Sequence, residues 1–228
     1  MKYKWILFDA DNTLFDFTYS QKKALGNCFK HYGLEFNDEI FSVFTNLNNE
    51  IWTAYDENKI SHEEIKTLRF KKLFDELGYN SVDLNEFNNK FIEQLVENSK
   101  LIEDTDTYLE KLYGNINLAI ITNGMKEVQR PRFEKCEHKS KFDNIFISGE
   151  IGKSKPNKEY FEHVHKATGA LDKSKYIVVG DNIVADIYGG KNYGFDTCWY
   201  NPNKIRDKNE KYADYVIRNI HELDNILY

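Results

Sequence analysis

The stretch YKWILFDADNT, residues 3–13, decides how the chain reads. Residues 3–8 are an apolar run rich in aromatic and branched side chains that stops at Asp9, as a strand buried on both faces does. Similar short runs recur at 117–122 (NLAIIT), 144–148 (NIFIS), 175–180 (KYIVVG), 195–200 (FDTCWY) and 214–217 (DYVI). Segments of helical character at 125–135, 157–168 and 184–192 separate the middle ones. Strands alternating with helices predict parallel pairing through crossover connections, hence an α/β, doubly wound parallel sheet of Rossmann-like type. In such a sheet, ligands bind beyond the carboxyl ends of the strands.

The stretch from about 17 to 97 breaks this rhythm. It holds no convincing strand, and its apolar residues recur at helical spacing. Ile40, Phe44, Leu47, Ile51 and Tyr55 make one stripe, and Leu84, Phe87, Phe91 and Leu95 another. Ile65, Leu68, Leu73, Phe74 and Leu77 place a helix between them. The expected organisation is a core domain of residues 1–16 and 98–228, with residues 17–97 inserted as a helical bundle. Trp52 and the other aromatics on the stripes read as bundle core rather than ligand contacts.

Composition narrows the function. The chain has 228 residues and a formal net charge of −6, with Lys and Arg spread along its length. Binding to nucleic acid needs clustered cations, so no such partner is expected, whereas a small phosphorylated molecule held by one or two local cations fits. Cys28, Cys136 and Cys198 lie far apart without metal-ligand spacing and read as buried free thiols. The first apolar run is too short for a secretion signal and no run reaches membrane-spanning length, so a cytoplasmic protein without membrane contact is expected.

Four constellations follow predicted strands. Asp9-Ala10-Asp11-Asn12-Thr13 puts two carboxylates two apart at a strand end, suited to a hard cation with oxygen ligands; a simple turn is the competing reading. Thr122-Asn123-Gly124 offers a hydroxyl and backbone N–H groups where a helix opens, a local anion site or an ordinary cap. Lys153-Ser154-Lys155-Pro156 precedes another helix and supplies either a phosphate-neutralising lysine or a solvated cation. Gly180-Asp181-Asn182, with Asp186 and the Gly189-Gly190 pair, suits metal ligation; Asp181 as a helix cap with Asp186 exposed is the alternative. Independent capping accidents would not line up all four along one sheet edge.

In this order the motifs resemble those of the haloacid dehalogenase-like hydrolase superfamily, over essentially the whole chain. Asp9 to Leu14 is similar to its first motif, Thr122-Asn123-Gly124 to its second, Lys155-Pro156 to its third, and Gly180-Asp181 with Asp186 to its fourth. The inserted residues 17–97 resemble the helical cap of the superfamily's first subclass. The resemblance implies a Mg²⁺-dependent phosphatase in which Asp9 attacks phosphorus and Asp11 is the general acid and base. It implies phosphoryl contacts from Thr122, Asn123 and Lys155, with Lys153 as substitute for Lys155. It also implies a magnesium site made by Asp9, the Asp11 backbone carbonyl and Asp181, with Asp186 behind them. Asn12 stands where Gly often follows the second aspartate, and Asn tolerates the left-handed backbone that turn needs.

The wording ILFDADNTLFDF, TNGMKEVQRPR and KPNKEYF resembles bacterial pyrimidine 5′-nucleotidases, which implies a nucleoside monophosphate as substrate for a monomer or homodimer. A phosphosugar phosphatase or phosphomutase shares the same motifs. A haloacid dehalogenase would leave Asp11 and Asp181 superfluous, and a silent phosphate-binding module need not keep all four motifs. Phe15, Phe17 and Tyr19 read as hinge lining rather than a stacking platform for a base.

Overall fold

The computed structural model describes residues 1–56 and 59–228. The chain divides into two compact units: Met1–Asp16, Lys100–Lys126 and Phe133–Tyr228 form one, and Phe17–Ser99 with Glu127–Arg132 the other.

The first unit is built on six strands, β1 (Trp5–Phe8), β2 (Asn117–Thr122), β3 (Asn144–Ile147), β4 (Tyr176–Gly180), β5 (Asp196–Tyr200) and β6 (Tyr215–Ile217). They form one sheet in the order β3-β2-β1-β4-β5-β6, and every neighbouring pair is parallel. The doubly wound parallel sheet expected from the sequence is therefore present. Side chains alternate across it as a strand's period of two requires. Ile6 and Phe8 pack on one face with Ile120, Ile177 and Val179, while Trp5 and Leu7 pack on the other with Ile121, Val178 and Phe161. All four residues of β1 are buried. From β1 the chain crosses to β2 and then β3 on one side, and from β3 it returns to β4 on the other side of β1, so the strand order reverses between β1 and β4. Their carboxyl ends define the crevice where such sheets bind ligands.

The second unit contains α1 (Phe17–His31), α2 (Asp38–Asp56), α3 (His62–Leu77) and α4 (Leu84–Glu97). Its interior is aromatic: Phe29, Phe44, Phe70, Phe74, Phe87 and Phe91 are all buried, and the Phe70 and Phe87 rings meet edge to face at 4.8 Å. Such offset contacts add about 0.5–1.5 kcal/mol each beyond area burial. Ser61 starts α3 with a reciprocal capping box to Glu64, and Gly78 ends it in the left-handed region at φ 73°. Trp52 is half-buried and packs edge-on against Tyr55 and His62, at the margin of this core rather than inside it.

In the first unit the remaining helices are α5 (Thr105–Leu112), α7 (Ser148–Ile151), α8 (Lys158–Ala167), α9 (Gly189–Tyr193) and α10 (Asp224–Leu227); α6 spans Lys126–Lys135. The helix expected at 184–192 is two pieces, a wide π-helical turn over Ile183–Tyr188 followed by α9. Asn182 opens the wide turn by accepting from the Val184 and Ala185 amides, and the turn sends Asp186 inward. Such single-turn π segments collect at functional sites. Gly189 and Gly190 let it pack closely, because a β-carbon on Gly189 would stand 2.8 Å from Pro156 Cα. All three cysteines are free; Cys28 and Cys198 are buried, but Cys136, just past α6, is partly exposed. Among the described residues no helix is long and apolar enough to cross a membrane.

Candidate active site

The strand ends determine where the chemistry sits. Asp9 follows the last residue of β1 and is tied to the neighbouring strand by its amide, which donates to Val179 O at 2.9 Å. Beyond it the chain makes a tight turn. Asn12 takes φ 60°, the left-handed conformation expected of it, and donates its amide to Phe15 O at 2.7 Å. Asp11 rides this turn, half-buried. Thr13, 1% exposed, accepts the Asp181 amide at 3.1 Å and so joins the turn after β1 to the end of β4. Trp199, in the last turn of the ladder on β5, donates its indole N–H to Asp181 O at 2.9 Å. The Asp181 backbone is thus held from both sides.

Three carboxylates converge: one oxygen each from Asp9, Asp181 and Asp186 lies within 4.8 Å of the others. Asp186 is fully buried, so the alternative of an exposed residue fails, and Asn182 rather than Asp181 caps the following turn. Lys155, 1% exposed, enters from the segment between α7 and α8. Its ammonium donates to Asp9 Oδ1 at 2.7 Å, Asp186 Oδ1 at 2.6 Å and Ile121 O at 2.9 Å, which accounts for all three of its protons. Lys153 is exposed, so of the two lysines it is Lys155 that is buried beside the acids.

Thr122 and Asn123 close the β2 side. The Thr122 hydroxyl accepts from the Gly124 amide at 3.0 Å, which makes a local turn and not a helix cap, since α6 begins only at Lys126. The Asn123 side chain is directed at the Lys155 backbone, donating to its carbonyl at 2.8 Å and accepting from its amide at 2.9 Å. Asn123 thus stands beside the cluster through Lys155. The Asp11 carboxylate is outside the converging three. Sequence reasoning included Thr13 in its first motif without a contact of its own and missed Trp199, because a threonine in a turn and a tryptophan near a strand end carry no sign of a backbone partner more than a dozen residues away.

The electrostatics follow from counting charges in a dry place. Three carboxylates facing one ammonium leave two negative charges over. Burial raises the Asp9 carboxyl to about 7; the pull of Lys155 opposes this, and repulsion from Asp186 and Asp11 adds to it. Burial and then the charges of Asp9 and Asp186 push Asp181 well above the ordinary carboxylate range. For Lys155 burial works against the ammonium, but Asp186 and Asp9 outweigh it and hold the lysine above its usual range. Asp9 and Lys155, partners in one ion pair, both move upward because the single cation is shared among several acids. A divalent cation with oxygen ligands is the species that would discharge the surplus, and the donor set fits one.

A parallel sheet with an acid cluster and a buried lysine at its strand-order reversal makes an α/β site for a cation beside an anion. Residues 6–200 match the haloacid dehalogenase-like hydrolase family, and the chain belongs to it. It is 33% identical over 227 residues to the pyrimidine 5′-nucleotidase YjjG of Escherichia coli, covering 100% of this chain and 99% of that one. Identity to the pyrimidine 5′-nucleotidase PynA of Streptococcus pneumoniae is 28% over 229 residues, covering 98% and 94%. The HAD-hydrolase YfnB of Bacillus subtilis, whose crystal structure is bound to magnesium, superposes with a TM-score of 0.92 at 31% identity, covering 100% and 99%. The protein is a hydrolase.

Proposed function

We propose that the protein hydrolyses small phosphate monoesters with Mg²⁺, through an aspartyl-phosphate on Asp9, and that its substrate is a pyrimidine nucleoside 5′-monophosphate. The observation that carries the reaction is the convergence of Asp9, Asp181 and Asp186 on one another, with the Lys155 ammonium among them. The substrate class is supported by the two nucleotidase relatives, each matched over nearly its full length.

Asp9, Asp181 and the Asp11 backbone carbonyl would hold the ion, with Asp186 in support; bound there, it would offset charge on the phosphoryl oxygens. An Asp9 oxygen attacks phosphorus as the bond to the ester oxygen breaks, and Asp11 gives its proton to the departing alcohol. Water then attacks the same phosphorus, passes a proton to Asp11, and releases inorganic phosphate and the free Asp9 carboxylate. Asp9 must be ionised to attack, and Lys155 favours that form directly. Lys155 starts with all three donors engaged, so it contacts a phosphoryl oxygen by exchanging one of them. The Thr122 hydroxyl and the backbone N–H groups after β2 supply the remaining phosphoryl contacts. In this reading the helical unit supplies the cap.

The test is phosphate release from an aryl phosphate and from a panel of UMP, dUMP, dTMP, sugar phosphates and phosphoglycolate. Expected are turnover that chelation abolishes, a preference for the nucleotides, and at least ~10³-fold loss of turnover in Asp9→Asn with the fold retained. Full activity in Asp9→Asn would refute the nucleophile. Isomer formation without phosphate release would indicate a mutase, and equal use of all esters would remove the nucleotide assignment alone.

A further inference from the structure

We propose that Asn123 is a positioning residue whose side chain clamps the Lys155 backbone and thereby aims the ammonium at Asp9 and Asp186. The inference rests on the phosphatase reading and goes beyond it. Lys155 lies in the irregular segment between α7, which ends at Ile151, and α8, which begins at Lys158. At 1% exposure its amide and carbonyl are out of water and have no ladder to satisfy them. Asn123 meets both at once, with Nδ2 donating to Lys155 O at 2.8 Å and Oδ1 accepting from Lys155 N at 2.9 Å. Two bonds to one residue fix its rotation as well as its position, where one bond would leave a swivel. Only a carboxamide offers the donor and the acceptor together; a carboxylate accepts only, and a hydroxyl spans one site.

The clamp also carries the sheet's geometry to the lysine. Asn123 directly follows Thr122, the last residue of β2, which pairs with β1, the strand that presents Asp9. Two residues before Asn123, the Ile121 carbonyl accepts from the same ammonium at 2.9 Å. One strand end therefore grips the lysine twice, at its backbone and at the tip of its four-carbon stem. That stem is flexible in itself, so its aim depends on where both ends are held. The Asn123 Nδ2 and Oδ1 atoms each make one bond to the Lys155 backbone.

Kinetics of Asn123→Ala on an aryl phosphate with Mg²⁺ separate this role from direct binding. Misplacing the ammonium is expected to lower kcat by about 10- to 100-fold, while KM and inhibition by inorganic phosphate, to which Lys155 gives one contact among several, change by less than about fivefold. Loss confined to KM and to phosphate inhibition, or no loss at all, would overturn the proposal. In the Lys155→Met background, Asn123→Ala should change kcat by less than about twofold, because the clamp has nothing left to aim. Additive losses would overturn it. If Asn123→Ala does not fold, Asn123→Ser is measured in the same way, and failure of both would assign Asn123 to folding instead. A crystal structure of the folded variant decides the point whether or not the parent is a phosphatase. Lys155 Nζ should leave hydrogen-bond reach of Asp9 Oδ1, and an unmoved ammonium would refute the inference.

Discussion

Gly180→Ala tests the site at its tightest contact. Gly180 closes β4, and its backbone lies outside the left-handed region, so an added methyl acts through space rather than through strain. That β-carbon would stand 2.3 Å from Asp186 Oδ2 and 2.7 Å from Asp186 Cβ. Carbon contacts relax only near 3.5–4.0 Å, so the Asp186 side chain must withdraw by roughly 1 Å. It has little room, being fully buried with Oδ1 held by Lys155 at 2.6 Å and Oδ2 by the Asn182 amide at 3.1 Å. Overpacking costs about 1–3 kcal/mol and loss of a charged hydrogen bond about 1.5–3 kcal/mol, so a non-additive total of about 2–4 kcal/mol is expected. In a chain of this size that lowers Tm by about 5–15 °C. The assay is thermal unfolding with and without Mg²⁺, paired with phosphate release. Gly190→Ala is the control, since its β-carbon meets the Val178 and Thr197 methyl tips at 2.9 and 3.1 Å, away from the acids. It should cost stability while leaving the Mg²⁺ requirement intact. Gly180→Ala unfolding within about 1 °C of the parent, with the same Mg²⁺ dependence, would refute the placement of Asp186.

Mg²⁺ should stabilise more as pH rises. Asp9 keeps its proton in the fold up to about 7, where the unfolded carboxyl has lost it near 4, so its own contribution to stability falls across that window. The ion must displace that proton, so the Mg²⁺-induced Tm shift should grow from pH 5 to pH 8, towards about 5–10 °C at 100 times Kd; a shift independent of pH would count against the assignment. Lys155→Met strands buried acids and should cost about 3–5 kcal/mol at pH 8, and less at pH 5, where they can protonate; equal losses in melts at both pH values would contradict the charge account. Trp199→Phe removes the indole bond to Asp181 O, worth about 1 kcal/mol, so activity titrations should show about fivefold weaker Mg²⁺ binding with kcat at saturation within about twofold. Unchanged Mg²⁺ affinity would show that Asp181 needs no such support.

The sheet was legible because its central strands are buried on both faces and so written as unbroken apolar runs; NLAIIT coincides with β2 residue for residue. Ends were less so: the run from Tyr3 begins two residues before β1, because Tyr3 is buried through a hydroxyl bond to Asp196, not through the ladder. The short helices α5 and α7 escaped notice, having no side-chain cap bond and too few residues to show a period. At the site, Asp9 and Asp181 beyond strand ends, and Asp186 and Lys155 in the segments that follow, could be named from motif order. What the Asn123 amide and the Trp199 indole do could not, since both spend their side chains on backbone atoms, and backbone atoms leave no trace in a sequence.

The place of β1 in the sheet has a bearing on how the molecule is made. Trp5 pairs with Asn117 on one flank and Tyr176 on the other, so the earliest of these six strands is flanked only by strands synthesised much later. At ribosomal speeds of about 5–20 residues per second, WILF waits roughly 10–35 s for its second neighbour. Helices α1 to α4, whose contacts are local, can assemble in that interval. A nascent chain paused before residue 176 would carry WILF with one flank still open, an apolar edge exposed to wrong pairing until β4 arrives.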